Sequence, residues 1–146
     1  MNFAIEQLQL DELRNFLREQ ADDAFPDLKD EQHLNTLAEK WSKNAEFCAC
    51  RNAEGGLVGM IAFYANGEGA DFAYIPHVYI SPDFQGKGVF KQMLQLVENK
   101  VRAKGFEEIR LEVHNDNHAA LECYKRTGFV WFDAASSDSV FLKKTI

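Results

Sequence analysis

The sequence predicts one α/β domain with a mixed central sheet flanked by about four helices. Apolar residues switch between period two and helical spacing in the order β-αα-βββ-α-β-α-ββ. The 146 residues, 46% of them hydrophobic, suit a single compact core spanning 1–146. No internal repeat, low-complexity segment or linker interrupts that order.

Asn2 to Gln9 alternates weakly and reads as a short first strand. Leu10, Leu13, Leu17, Ala21 and Ala24 recur at helical spacing, with Asp11 and Glu12 favourably placed in the first turn, until Pro26 interrupts. A second amphipathic helix opens at Asp30 and Glu31 and carries Leu34, Leu37, Ala38 and Trp41 on one stripe. Residues 46–51 (EFCACR) form the next strand, and Asn52 to Gly56 a turn. Two strands, Gly56 to Ala65 and Asp71 to Ile80, meet at the Asn66-Gly67 hairpin signal. A third helix turns Phe90, Met93, Leu94, Val97 and Val101 inward and stops at Gly105. Ile109, Leu111 and Val113 alternate as a strand, Asn117 to Arg126 is a helix ended by Thr127-Gly128, and Phe129–Phe132 and Ser139–Leu142 are the last two strands.

Charge is distributed unevenly. Residues 1–70 hold 6 Lys and Arg against 13 Asp and Glu, so the whole net charge of −7 lies there, while residues 71–146 balance. That argues against nucleic acid, which rewards a basic face, and mildly favours a cationic partner. An acidic, solvated surface explains the same numbers. The longest apolar stretch, Leu57 to Ala65, is too short to span a bilayer, and the first residues (MNFAIEQ) lack the pattern of a signal peptide, so no membrane partner is expected. Cys48, Cys50 and Cys123 show no zinc spacing and read as reduced thiols of a cytoplasmic protein.

Chemistry enters at residues 84–90, FQGKGVF, between the strand IPHVYI and a helix. Glycines let the backbone approach a ligand, and first-turn N–H groups point outward with the helix dipole behind them, an arrangement suited to phosphate. Each dipole interaction is worth only about 0.3–1 kcal/mol when exposed, so several donors must converge. The loop is neither a P-loop nor a GxGxxG turn, because GxxxxGK[ST] is absent and Lys91 stands where the third glycine belongs.

A second segment, LEVHNDNHAALECYKRTGF (Leu111 to Phe129), reads as strand, turn, helix and glycine stop. Together the two resemble the GNAT superfamily, the acyl-CoA-dependent N-acetyltransferases. VYISPDFQGKGVF is similar to the family's motif A. Asn117, Ala120, Tyr124, Gly128 and Phe129 match motif B throughout its N-x-x-A-x-x-x-Y-x-x-x-G-F spacing.

The resemblance implies a GNAT-type fold and transfer of acetyl from acetyl-CoA to a primary amine by direct attack through a tetrahedral intermediate, without metal. It implies that backbone at Gln85, Gly86, Lys87, Gly88, Val89 and Phe90 cradles the coenzyme A pyrophosphate. Val78, Tyr79 and Ile80 would pair with the pantetheine arm as an added strand. A backbone N–H there would hold the oxyanion. Asn117 would contact the cofactor, and Tyr124 would stand beside its sulfur. A Tyr of pKa about 10 protonating a thiol of about 8.5 works uphill by about 2 kcal/mol, so hydrogen bonding to the developing thiolate suffices. Candidate bases for the amine are Glu112, five residues before Asn117, then His114 on the same face, His77, and water. Asp71 and Glu68 suit attraction of the amine, and Phe63, Tyr64, Phe72 and Tyr74 suit either packing or an acceptor pocket.

Position 90 departs from the motif, which calls for Gly or Ala. Helical spacing places Phe90 in the core, and the alternative is a displaced cofactor site. No feature fixes the acceptor; the acidic first half favours a small cationic amine over protein N-termini or lysines. A non-catalytic acyl-CoA-binding module and a phosphate-binding regulator are the competing classes. Exposed edge strands after Phe129 leave room for a homodimer.

Overall fold

A computed structural model describes residues 1–66 and 71–146. The Asn66-Gly67 hairpin signal and Glu68 therefore fall partly or wholly outside the described residues. The elements are β1 (Asn2–Glu6), α1 (Leu10–Ala21), α2 (Glu31–Asn44), β2 (Glu46–Arg51), β3 (Leu57–Tyr64), β4 (Ala73–Ile80), α3 (Val89–Ala103), β5 (Glu108–His114), α4 (His118–Arg126), β6 (Val130–Ala134) and β7 (Ser139–Thr145). Short 3-10 turns at Pro26–Lys29 and Pro82–Phe84 were not foreseen. The element order is the one the apolar periodicity predicts.

Seven strands form one mixed sheet in the order β1-β2-β3-β4-β5-β7-β6. β1 pairs with β2, β5 with β7 and β6 with β7, all antiparallel. β4 and β5 are parallel, as a strand-helix-strand connection through α3 requires, and their register runs from Ala73↔Ile109 to Ile75↔Leu111. The chain comprises two compact units, Met1–Ala62 with His77–Leu96, and Phe63–Pro76 with Val97–Ile146.

In the first unit the core includes Leu13, Phe16 and Leu17 of α1, Leu34, Ala38 and Trp41 of α2, and Phe47, Cys48 and Cys50 of β2. α1 ends at Ala21, short of Ala24, because the N–H groups of Asp23, Ala24 and Phe25 all converge on Gln20 O. Asp30 caps α2 by accepting from the N–H groups of Gln32 and His33. At the start of α3, Val89 and Phe90 are buried, Phe90 with 5% of its surface exposed. Position 90 is thus a core position. β1 stops at Glu6 rather than Gln9, and Leu8 turns into the core.

In the second unit Ile109, Leu111 and Val113 alternate inward from β5, with Phe129 and Leu142 beside them in the core. Buried Glu98 is neutralised by Lys144 Nζ at 2.9 Å and Arg102 Nη2 at 3.4 Å. β7 continues to Thr145, three residues beyond the expected Leu142, because its pairing with β5 runs from Ser139 to Thr145.

The burial of Phe90 makes a stability prediction. Phe90→Ala should lose about 3–5 kcal/mol of unfolding free energy in a denaturant titration. Loss of less than about 1 kcal/mol would place the ring outside the core.

Candidate active site

Two glycines shape the turn between β4 and α3. Gly86 and Gly88 hold φ of +73° and +76°, and a Cβ added at either would meet nothing within 4 Å. The requirement is conformational, since side chains rarely adopt left-handed backbone. Gln85 Nε2 donates to Ile80 O at 2.8 Å, tying the loop to the end of β4. Ser81 N donates to Val58 O at 2.8 Å, fixing that strand end against β3. Gln85 to Gly88 are exposed, and Lys87 Nζ lies 5.7 Å from the Phe84 ring centroid. An exposed glycine turn thus leads directly into a helix N-terminus, the backbone form that suits a pyrophosphate.

β4 alternates beneath this turn. Val78 and Ile80 are half-exposed, while His77 and Tyr79 point into the core. His77 Nε2 donates to Gln20 Oε1 at 2.6 Å, with the rings of Phe25 and Trp41 at 4.5 and 4.9 Å. Burial pulls its pKa down to about 4. His77 is therefore a neutral, sealed imidazole, which corrects its candidacy as a base: it has little affinity for an ammonium proton. Tyr79 donates to Asp23 Oδ2 at 2.6 Å, and burial, then this bond, push its pKa upward.

The second unit holds the remaining candidates. Glu112 is exposed on β5 and accepts from Ser139 Oγ at 2.6 Å. His114 is exposed on the same face, opposite Ser139 in the β5/β7 register. Asn117 serves as the α4 N-cap, its Oδ1 accepting from Ala120 N at 3.2 Å. Tyr124, half-buried on α4, packs edge-on against Phe129 at 5.7 Å. Burial first, then the nearby Cys123, push its pKa upward, so the phenol stays protonated and able to donate a hydrogen bond.

Comparison with known proteins decides the family. The chain matches the model of the acetyltransferase (GNAT) family over residues 10–129. The chain belongs to the GNAT family. It is 31% identical over 100 residues to the mycothiol acetyltransferase of Propionibacterium freudenreichii subsp. shermanii, covering 68% of this chain and 32% of that protein. It is 32% identical over 75 residues to the spermidine N(1)-acetyltransferase of Thermoplasma acidophilum, covering 51% of this chain and 47% of that protein. The chain thus spans about a third to about half the length of these two curated relatives. Its fold matches the crystal structure of the PaiA N-acetyltransferase of Thermoplasma acidophilum in complex with coenzyme A, with a TM-score of 0.78, 21% identity and full coverage of both chains.

This GNAT chain also contains polar groups that sequence reading missed. Gln20 is fully buried on the apolar stripe of α1, three residues after Leu17, so its spacing was the available signal. Arg110 stacks on Phe72 at 3.9 Å and on Phe132 at 4.8 Å, which gives Phe72 a packing role. Phe63 is buried, and Tyr64 and Tyr74 are half-buried. Between α1 and α2 a surface cavity of about 450 Å³ is lined by Pro26, Asp27, Asp30 and His33. Among the described residues no group of three or more His, Cys, Asp and Glu is placed to hold a metal, and no helix is long and apolar enough to cross a membrane.

The neutral His77 makes a pH prediction. Its folded pKa of about 4 lies below the ordinary value of 6.5, so the unfolded chain binds the proton first. Its contribution to stability is complete above pH 6.5 and is lost as pH falls toward 4. The loss should be on the order of 3 kcal/mol. His77→Gln should flatten the fall in unfolding free energy between pH 7 and 4.5 relative to the parent, measured by denaturant titration. Parallel curves would show that His77 titrates normally.

Proposed function

We propose that residues 1–146 act as one N-acetyltransferase domain that moves acetyl from acetyl-CoA to a primary amine, with a small cationic amine as acceptor. The observation that carries this reading is the Gly86–Gly88 turn at the N-terminus of α3 in a chain of the GNAT family. Its exposed backbone suits the pyrophosphate, and the half-exposed Val78 and Ile80 suit main-chain pairing with a pantetheine arm. Acetyl-CoA supplies the acyl thioester as donor substrate. Phe90 offers no ground for a non-catalytic module, since its ring is buried in the core.

Glu112 is the base in this reading. Its carboxylate is exposed and held by one short hydrogen bond, whereas His77 is sealed. Tyr124 donates a hydrogen bond to the leaving thiolate, because its raised pKa favours donation over full proton transfer. The acidic first half of the chain favours a cationic acceptor. The names of the two curated relatives, a mycothiol acetyltransferase and a spermidine N(1)-acetyltransferase, support a small-molecule acceptor.

The test is release of free thiol from acetyl-CoA with a panel of polyamines, amino sugars, amino acid derivatives and peptides. Turnover with a small cationic amine supports the proposal, and turnover with peptides alone would overturn the acceptor class. In the active assay, Glu112→Gln should lose about 10²–10⁴-fold at neutral pH. The loss should shrink as pH rises and the amine arrives deprotonated. Tyr124→Phe should lose activity without that recovery. Undiminished turnover of Glu112→Gln at pH 7 would make Glu112 a strand residue only.

A further inference from the structure

Three contacts in the second unit share two protons. Ser139 Oγ donates to Glu112 Oε2 at 2.6 Å. Ser136 Oγ lies 2.9 Å from Ser139 Oγ and donates to Asp138 Oδ1 at 2.8 Å. The chain runs carboxylate, hydroxyl, hydroxyl, carboxylate. Each hydroxyl carries one proton and an ionised carboxylate carries none. With both acids ionised, one of the three contacts contains no proton. A single added proton fills them all, with Glu112 donating to Ser139, Ser139 to Ser136 and Ser136 to Asp138. The chain is short by one proton, and acetylation of an ammonium by a thioester releases one net proton, the second N–H proton passing to the leaving thiolate.

We propose that Ser139 and Ser136 relay the amine's proton from Glu112 to Asp138 and so to solvent. This rests on Glu112 being the base. One proton leaves the ammonium nitrogen, freeing its lone pair, and Glu112 takes it; the second leaves the nitrogen as the C–S bond breaks and ends on the thiolate. Glu112 then gives a proton to Ser139 Oγ as Ser139 gives its own to Ser136 and Ser136 its own to Asp138 Oδ1. Neither serine is left charged. Asp138 is exposed and releases the proton to water.

The β6–β7 hairpin holds the relay in place. Ser139 is 3% exposed, and its carbonyl accepts from Ala135 N at 3.0 Å and Ser136 N at 3.3 Å. Asp138 O accepts from Asn115 N at 2.9 Å, and Asp138 N donates to Ser136 Oγ at 3.4 Å. Ser136 can therefore accept from both Asp138 N–H and Ser139 while donating to the carboxylate, using its full capacity. The titratable and charged groups sharing the Glu112 face are Glu108, Arg110 and His114 on β5, Tyr74 on β4, Lys143 on β7 and Asp133 on β6.

The direct test needs no substrate. Carboxyl ¹³C signals of Glu112 and Asp138 are followed by NMR through a pH titration of the full chain. A shared proton couples the two, so both signals should move through the same inflections. Ser136→Ala, at an exposed position, should abolish that coupling, and Ser136→Thr should keep it. Identical Asp138 curves in the parent and Ser136→Ala would overturn the relay. A kinetic arm separates the relay from the underlying reading. On an amine that is turned over, Ser136→Ala should slow turnover at low buffer concentration, and added imidazole should restore it. A Glu112→Gln variant with undiminished turnover would remove the base and the relay's catalytic role, whatever the NMR coupling shows.

Discussion

Two residues of left-handed backbone, at Gly86 and Gly88, govern the end of β4 and the start of α3. A residue with a Cβ would be strained there despite open space around both positions. The turn is braced by Gln85 reaching back to Ile80 O and by Ser81 N on Val58 O. Behind it, Val89 and Phe90 anchor the first turn of α3 in the core. The chain thus combines an exposed, conformationally specialised backbone with a rigidly packed helix start. A pyrophosphate needs that combination, because several N–H donors must converge without reorganising.

Below the turn, β4 sorts its side chains by the pleat. His77 and Tyr79 point inward and are satisfied by Gln20 and Asp23, both from α1 or the residues just after it. A buried polar group costs about 1–3 kcal/mol when unpaired, so these bonds fix how the end of α1 meets the strand. The other face leaves Val78 and Ile80 half-exposed. In the second unit the same alternation puts Ile109, Leu111 and Val113 in the core and turns Glu112 and His114 outward. Pleating therefore separates a sealed imidazole from an accessible carboxylate.

Much of this was legible in the residues. Periodicity gave the element order, and Asp30, Gly105 and Pro26 marked boundaries by capping, helix termination and loss of a donor. Phe90 was readable as core from its spacing to Met93 and Leu94, although it breaks the motif. Tertiary pairing was not legible. Nothing local joins Gln20 to His77 across 57 positions, so the loss of basicity at His77 could not be foreseen. The Ser139–Glu112 bond, 27 positions apart, depends on a β5/β7 register that neither strand specifies alone. Asn117 was read as a ligand contact, and its capping of α4 shows a local structural role for the same side chain.

The proposed seat of the coenzyme A pyrophosphate is the backbone of the β4–α3 turn. Backbone amide shifts followed by NMR during titration with coenzyme A test it most directly. The largest changes are expected from Gln85 through Lys91, saturating with ligand, with a markedly smaller response there to pantetheine, which lacks the pyrophosphate. Saturable changes confined to other segments, or an equal response to pantetheine at the turn, would contradict it.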